Sequence, residues 1–176
     1  MTKVELVPLQ PDDREQFISD NQDAFLYGAI EAFGSRANCF EEDGQIISRA
    51  TIEESIEEDG AEAYRIVEDG DYVGGVILKI DSITHHNELS ILFVSPWADG
   101  RGVGQAAWKA IEALHPETEV WETYTPYFEK RNINFYVNKC GFHIVEYINP
   151  YHMGYKEMYN SSDDFDGMFR FEKRMR

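Results

Sequence analysis

The chain has 176 residues, a net charge of −17, and 43% hydrophobic and 14% aromatic residues. That length suits one domain, 1–176, able to bury roughly 70% of its unfolded surface, and the aromatic content argues against disorder. The acidity excludes a nucleic-acid partner, whose affinity comes from cations that release counterions, and an anionic membrane surface; it serves solubility or draws in cationic small molecules and basic peptides.

Val4 to Val7 alternates weakly as a first strand, closed by Pro8. Pro11 with Asp12 and Asp13 opens a helix, because proline suits the first position and carboxylates favour the positive end of the dipole. Ile18, Phe25, Ala29 and Ala32 share its apolar face as far as Gly34. Thr51 and Glu54 match a capping box for a short acidic helix that Gly60 ends. Ala63 to Val67 and Tyr72 to Ile80 form a hairpin about Glu68-Asp69-Gly70-Asp71. Glu88 to Val94 is a mostly apolar run, expected as a central strand buried on both faces.

A glycine-rich loop, Gly100 to Gly104, then leads into a helix whose face carries Val103, Ala106, Ala107, Ala110, Ile111 and Leu114, stopped by Pro116. Val120 to Thr123 is a short strand, Ile133 to Cys140 a helix with Gly141 as a left-handed cap, and Phe142 to Ile148 and Met168 to Phe171 the last strands, around a polar loop at Asn160 to Gly167. The order βααβββαβαββ makes a mixed α/β domain. Cys39 and Cys140 lie far apart and read as free thiols of a reducing compartment. The N-terminus has no apolar signal core, and no stretch nears the ~20 apolar residues of a membrane span, so the expected location is the cytoplasm.

The junction Val94-Ser95-Pro96-Trp97-Ala98-Asp99-Gly100-Arg101-Gly102-Val103-Gly104-Gln105 carries the chemistry. The first amides of a helix lack internal partners, the dipole adds about half a positive charge there, and glycine lets a phosphate approach the backbone. Gly104-Gln105-Ala106 is not the Gly-Lys-Ser/Thr of a Walker loop, and the glycine spacing is not that of a dinucleotide fingerprint. Val94-x-Pro96 with the Gly-x-Gly-x-Gly turn resembles the acyl-CoA pyrophosphate loop of the GNAT superfamily. Phe135-Tyr136-Val137-Asn138-Lys139-Cys140-Gly141-Phe142 is similar to that family's "FYxKxGF"-like helix and strand. Together these cover about Glu88 to Tyr147, and the N-terminal third agrees in layout alone.

The resemblance implies a GNAT-like sheet, mixed and mostly antiparallel, with helices on both faces and splayed central strands. It also implies an N-acetyltransferase that moves an acetyl group from acetyl-CoA to a primary amine by direct attack in a ternary complex; the alternative is a non-catalytic acyl-CoA sensor or interaction domain. For donor binding it points to Phe93, Val94, Asp99, Gly100, Arg101, Gly102, Val103, Gly104, Gln105 and Asn132. Asp99 departs from the family's Gln or Arg, with Arg101, Lys109, Lys130 and Arg131 available to compensate. The implied catalytic residues are Tyr136, as acid toward the CoA sulfur, and Glu88, as base. Tyr136 also reads as a core tyrosine and Glu88 as an exposed strand end, with His85 and His86 as rival bases.

Trp121, Glu122, Tyr124 and Tyr127 are expected near the acceptor, a small-molecule or peptide amine of cationic character. His115, His143 and His152 show no metal-ligand spacing, so no metal is expected. A homodimer fits the family.

Overall fold

A computed structural model describes residues 2–34, 44–149, 151 and 167–175. Seven strands make one sheet in the order β1-β2-β3-β4-β5-β7-β6: β1 Glu5–Pro8, β2 Ala61–Glu68, β3 Asp71–Lys79, β4 His86–Val94, β5 Val120–Pro126, β6 His143–Ile148 and β7 Met168–Arg174. Neighbours run antiparallel except β4 and β5, which are parallel. Helix α1 is Arg14–Phe33, α2 Arg49–Glu57, α3 Val103–Leu114 and α4 Lys130–Asn134. Cys39, His152 and residues 160–166 of the expected loop lie outside the described residues.

Alternation along β3 sorts the core into two layers. Val76 and Leu78 join Trp108 and Ile111 of α3 and Tyr136, Phe142 and Phe171 beneath the sheet. Ile77 points the other way, to Phe17 and Ile18 of α1 and Ile52 of α2. Helices therefore cover both faces, as expected from the apolar runs. The β2–β3 hairpin turns on Asp69 and Gly70, both at positive φ (51° and 88°), a tight turn suited to the strand twist. Arg65 of β2 is buried, with Nε 2.7 Å from Asp13 and Nη1 2.8 Å from Asp20. Asp13, just before α1, and Asp20 within it thus satisfy a buried cation.

Three local expectations are corrected. The chain enters α1 through a 3-10 turn at Pro11–Asp13, so α-helix begins only at Arg14. The cap of helix α2 lies three residues before the expected one, at Ser48, whose Oγ accepts from the Thr51 amide at 3.1 Å. The helix after α4 is a π-helix, Phe135–Cys140, closed by Gly141 at φ 83°. Two residues, Val137 and Asn138, separate Tyr136 from Lys139 where the "FYxKxGF" pattern has one. A π turn is how a helix absorbs a single extra residue.

The centre of the sheet forks. β4 pairs with β5 only at His86↔Val120, Asn87↔Trp121 and Glu88↔Glu122, after which the two strands part. Thr123 marks the fork, its hydroxyl donating to the Leu89 carbonyl at 2.9 Å. Ser90 is the extra residue of a bulge against β3, since Ile77 faces Ile91 while Leu78 faces Leu89. A bulge re-aims the strand and interrupts its ladder. Leu89 consequently packs with the α3 layer and Ile91 with the α1–α2 layer.

Candidate functional site

Beyond Glu88 this edge of β4 has no strand facing it among the described residues, and at its end stands the glycine loop. Ser95 donates to Val73 and Asp99 to Pro96, holding a 3-10 turn at Pro96–Ala98. The next backbone bond is Ala106 N to Gly102 O at 3.0 Å, so the amides of residues 100 to 105 donate to no described residue. Gly102 caps α3 in the left-handed region, φ 80° and ψ 12°, which only glycine enters freely. Gly104 lets Phe135 of the π-helix approach, for an added Cβ would lie 3.2 Å from that ring. Six amides without a described partner at the positive end of a 12-residue helix can receive an anion.

The residues assigned to this loop divide by what they face. Phe93 lies 5.2 Å from Phe17 in an edge-on ring contact within the α1–α2 core, so it can meet a ligand only through its main chain. Val94 and buried Val103 pack with Ile66, Val73, Ala98 and Ala107. Gln105 Nε2 donates to the Lys139 carbonyl at 3.1 Å, tying α3 to the π-helix. Asn132 Nδ2 donates to Thr125 at 3.3 Å, tying α4 to β5. Arg101 turns aside, 2.7 Å from Glu68 and over the Trp97 ring. Arg131 is the cation that reaches Asp99, gripping both carboxylate oxygens through one nitrogen.

Tyr136 is 8% exposed, among Phe135, Phe142 and Phe171. Its hydroxyl hydrogen-bonds to Thr123, and burial pushes its pKa up to about 12 against that bond. The phenol is therefore kept protonated at the fork. Both readings of this residue meet here, since a core ring carries its one polar atom to the place where the strands part. Glu129, just before α4, adds a half-buried carboxylate whose charge acts on Tyr136. Burial raises the pKa of Glu129 in spite of Arg131.

Opposite this layer, on the side that carries α1 and α2, a cavity of about 460 Å³ opens beside the fork, lined by Asp59, Lys79, Asp81, His86, Glu88 and Glu122 among others. Register places Lys79, Glu88, Glu122 and Glu172 in one row across β3, β4, β5 and β7. Glu88 is half-buried and not an exposed strand end. Burial raises its pKa, the Glu122 charge raises it further, and Lys79 opposes. His86 lies on the cavity wall, 3.2 Å from Glu122, whereas His85 sits in the turn before β4. Tyr124 donates to Glu122 at 2.6 Å. Trp121 is buried in the α3 layer and takes no part in the cavity.

His86, Glu122 and Glu172 bring ligand atoms within 4.8 Å of one another, a grouping their sequence separation conceals. Arg170 Nη1 stands 3.1 Å from Glu122 and 2.6 Å from Glu172, so a guanidinium supplies the positive charge there.

A mostly antiparallel seven-stranded sheet with helices on both faces agrees with what comparison shows. The model of the acetyltransferase (GNAT) family matches residues 15–142. The chain belongs to the GNAT acetyltransferase family. A curated relative, YrkN of Bacillus subtilis, is 47% identical, covering 99% of this chain and 95% of its own. A Bacillus subtilis acetyltransferase solved with CoA superposes with a TM-score of 0.63 at 16% identity over all of both chains. The spermidine N-acetyltransferase of Vibrio cholerae, solved with CoA and spermine, gives 0.67 at 12% identity over 98% of this chain and 95% of that one. PaiA N-acetyltransferase of Thermoplasma acidophilum, with coenzyme A, gives 0.65 at 17% over 98% and 99%. At these identities the structural likeness establishes the GNAT fold.

Sequence reasoning missed Thr123, Ser90 and Glu129, and gave Glu122 a general place near the acceptor. Arg131 was one cation among four. A threonine after an apolar strand carries no signal by itself, and only the fork gives it a role.

Proposed function

We propose that this GNAT chain transfers an acetyl group from acetyl-CoA to a primary amine by direct attack within a ternary complex. The observation that carries the reading is the fork, with a protonated tyrosine on one side and a raised-pKa glutamate on the other, below a free-amide cradle. The amides of residues 100 to 105 would hold the diphosphate, and the open edge of β4 would align the pantetheine arm as an added strand. Val94, Gly104 and Gln105 shape that path, and Asn132 fixes its far wall.

The acceptor enters from the Glu88 side. Its ammonium cedes one proton to Glu88, and the nitrogen lone pair forms the new C–N bond. Main-chain amides of the bulged β4 edge would receive the charge that develops on the acyl oxygen. The C–S bond breaks with its electron pair going to sulfur. Tyr136 gives that sulfur a proton and regains one from the nitrogen. Acetylated amine, CoA thiol and one released proton balance the equation.

The carboxylates around the cavity favour a cationic acceptor, a polyamine or basic peptide amine, in line with the surplus of negative charge. The relative named for spermidine supports the same class. The test is CoA release from acetyl-CoA across monoamines, polyamines and lysine peptides. Turnover with an amine, above hydrolysis, supports transfer; CoA binding without turnover on any member assigns a sensor instead.

A further inference from the structure

Gly100 is flanked by two charged residues that turn opposite ways. Asp99 meets Arg131 of α4, which follows β5, whereas Arg101 reaches back to Glu68, the last residue of β2. In the sheet β2 and β5 stand on opposite sides of β4. On the β2 flank the Arg101 guanidinium lies over the indole of Trp97, 5.6 Å from the ring centroid. Trp97 is nonetheless 61% exposed, in the 3-10 turn that leads into the loop. Glu68 engages Nη2 of Arg101 at 2.7 Å, while Nε and Nη1 donate to no described residue. The Thr2 hydroxyl donates to the Arg101 carbonyl at 2.7 Å and holds the main chain there. An indole this exposed does little for the core, and it presents a flat apolar surface beside a cation.

We propose that Trp97 and Arg101 form a shelf for the nucleotide end of CoA. The adenine base lies flat against the indole surface that Arg101 leaves open, and the ribose 3′-phosphate meets the guanidinium. This rests on the donor reading above and adds to it a contact region outside the amide loop. CoA leaves its diphosphate in two directions. The pantetheine arm would follow the open edge of β4, on the side of β5 and α4. The adenosine is then left the opposite flank, where the shelf stands. Each half of the shelf suits one group of that end. Every base has a π-face, and stacking on an aromatic ring needs no hydrogen-bond pattern. A guanidinium carries five N–H donors in a fork that matches phosphate, and Glu68 occupies one of them. By holding Arg101 in place, Glu68 also reduces the side-chain freedom lost on binding.

The test titrates CoA and 3′-dephospho-CoA into the full chain by calorimetry, in wild type, Trp97→Ala and Arg101→Gln. Trp97→Ala should lose about tenfold in affinity for both ligands, as for one stacked base. Arg101→Gln should cost CoA several-fold and leave 3′-dephospho-CoA unchanged. Unchanged affinities in Trp97→Ala overturn the proposal and leave the donor reading intact. An equal loss for both ligands in Arg101→Gln overturns the place given to the 3′-phosphate. A wild type that binds neither ligand refutes the donor reading itself. Fluorescence of the wild type gives a readout that needs no variant. Of the three tryptophans, Trp108 and Trp121 are buried, so acrylamide in solution reaches Trp97. Saturating CoA should shield that emission, and quenching that is the same with and without CoA counts against the shelf.

Discussion

Arg131, in the first turn of α4, is ion-paired with Asp99 at the head of the glycine loop. The pair joins the glycine loop to α4, the two walls of the proposed donor cleft. It also answers the charge problem set by Asp99, since a carboxylate beside a diphosphate costs about 1 kcal/mol when solvated. Arg131 is 52% exposed, so salt screens the pair and its own contribution to stability is small. Its effect is expected in binding. Arg131→Gln should weaken CoA several-fold and Asp99→Asn should tighten it, with the double variant near wild type. Calorimetric titration at low and high salt checks the order of the four affinities.

Tyr136→Phe should lower kcat on the order of 10²-fold, the usual loss for a positioned acid, and leave CoA affinity nearly unchanged. The ring is retained, so the aromatic packing against Phe142 and Phe171 stays. Wild-type turnover in this variant would reduce Tyr136 to a core residue.

Glu88 makes an opposite demand on stability and activity. Its folded pKa is raised by burial and by Glu122, so the folded state holds its proton more tightly than the unfolded chain. Below the ordinary glutamate range both states are protonated and nothing is lost; as pH rises through the folded pKa, stability falls. Glu88→Gln should therefore raise Tm at pH 7 and leave it little changed near pH 4, while turnover drops. The wild-type rate should fall on acidification above the ordinary range of a glutamate. Melting curves at the two pH values and a pH–rate profile test both signs.

Thr123→Val removes a buried hydroxyl that donates to Leu89 and meets Tyr136. Leaving that carbonyl unpaired should cost about 1–3 kcal/mol. Urea denaturation measures it, and a fork held by other contacts would show no loss.

The element order was legible because each apolar period is clean: alternation in the hairpin, helical spacing from Val103 to Ile111. The glycine loop was legible because its chemistry is local. What stayed hidden depends on partners distant in the chain. Ser48 outcompetes Thr51 as the cap once the helix lengthens toward Glu15, which Arg49 binds at 2.5 Å. The bulge at Ser90 leaves an apolar strand that looks regular. The pairing of Glu122 with Glu88 exists only through a parallel register that nothing in either segment announces.

Titration of CoA into the purified chain, with Tm followed in parallel, bears most directly on the cradle formed by residues 100 to 105. One saturable site is expected, with folding stabilised by about 2.7 kcal/mol at a free CoA concentration a hundredfold above Kd, and loss of both signals in Gly102→Val. No heat and no rise in Tm at millimolar CoA would contradict the donor site and the transfer chemistry built upon it.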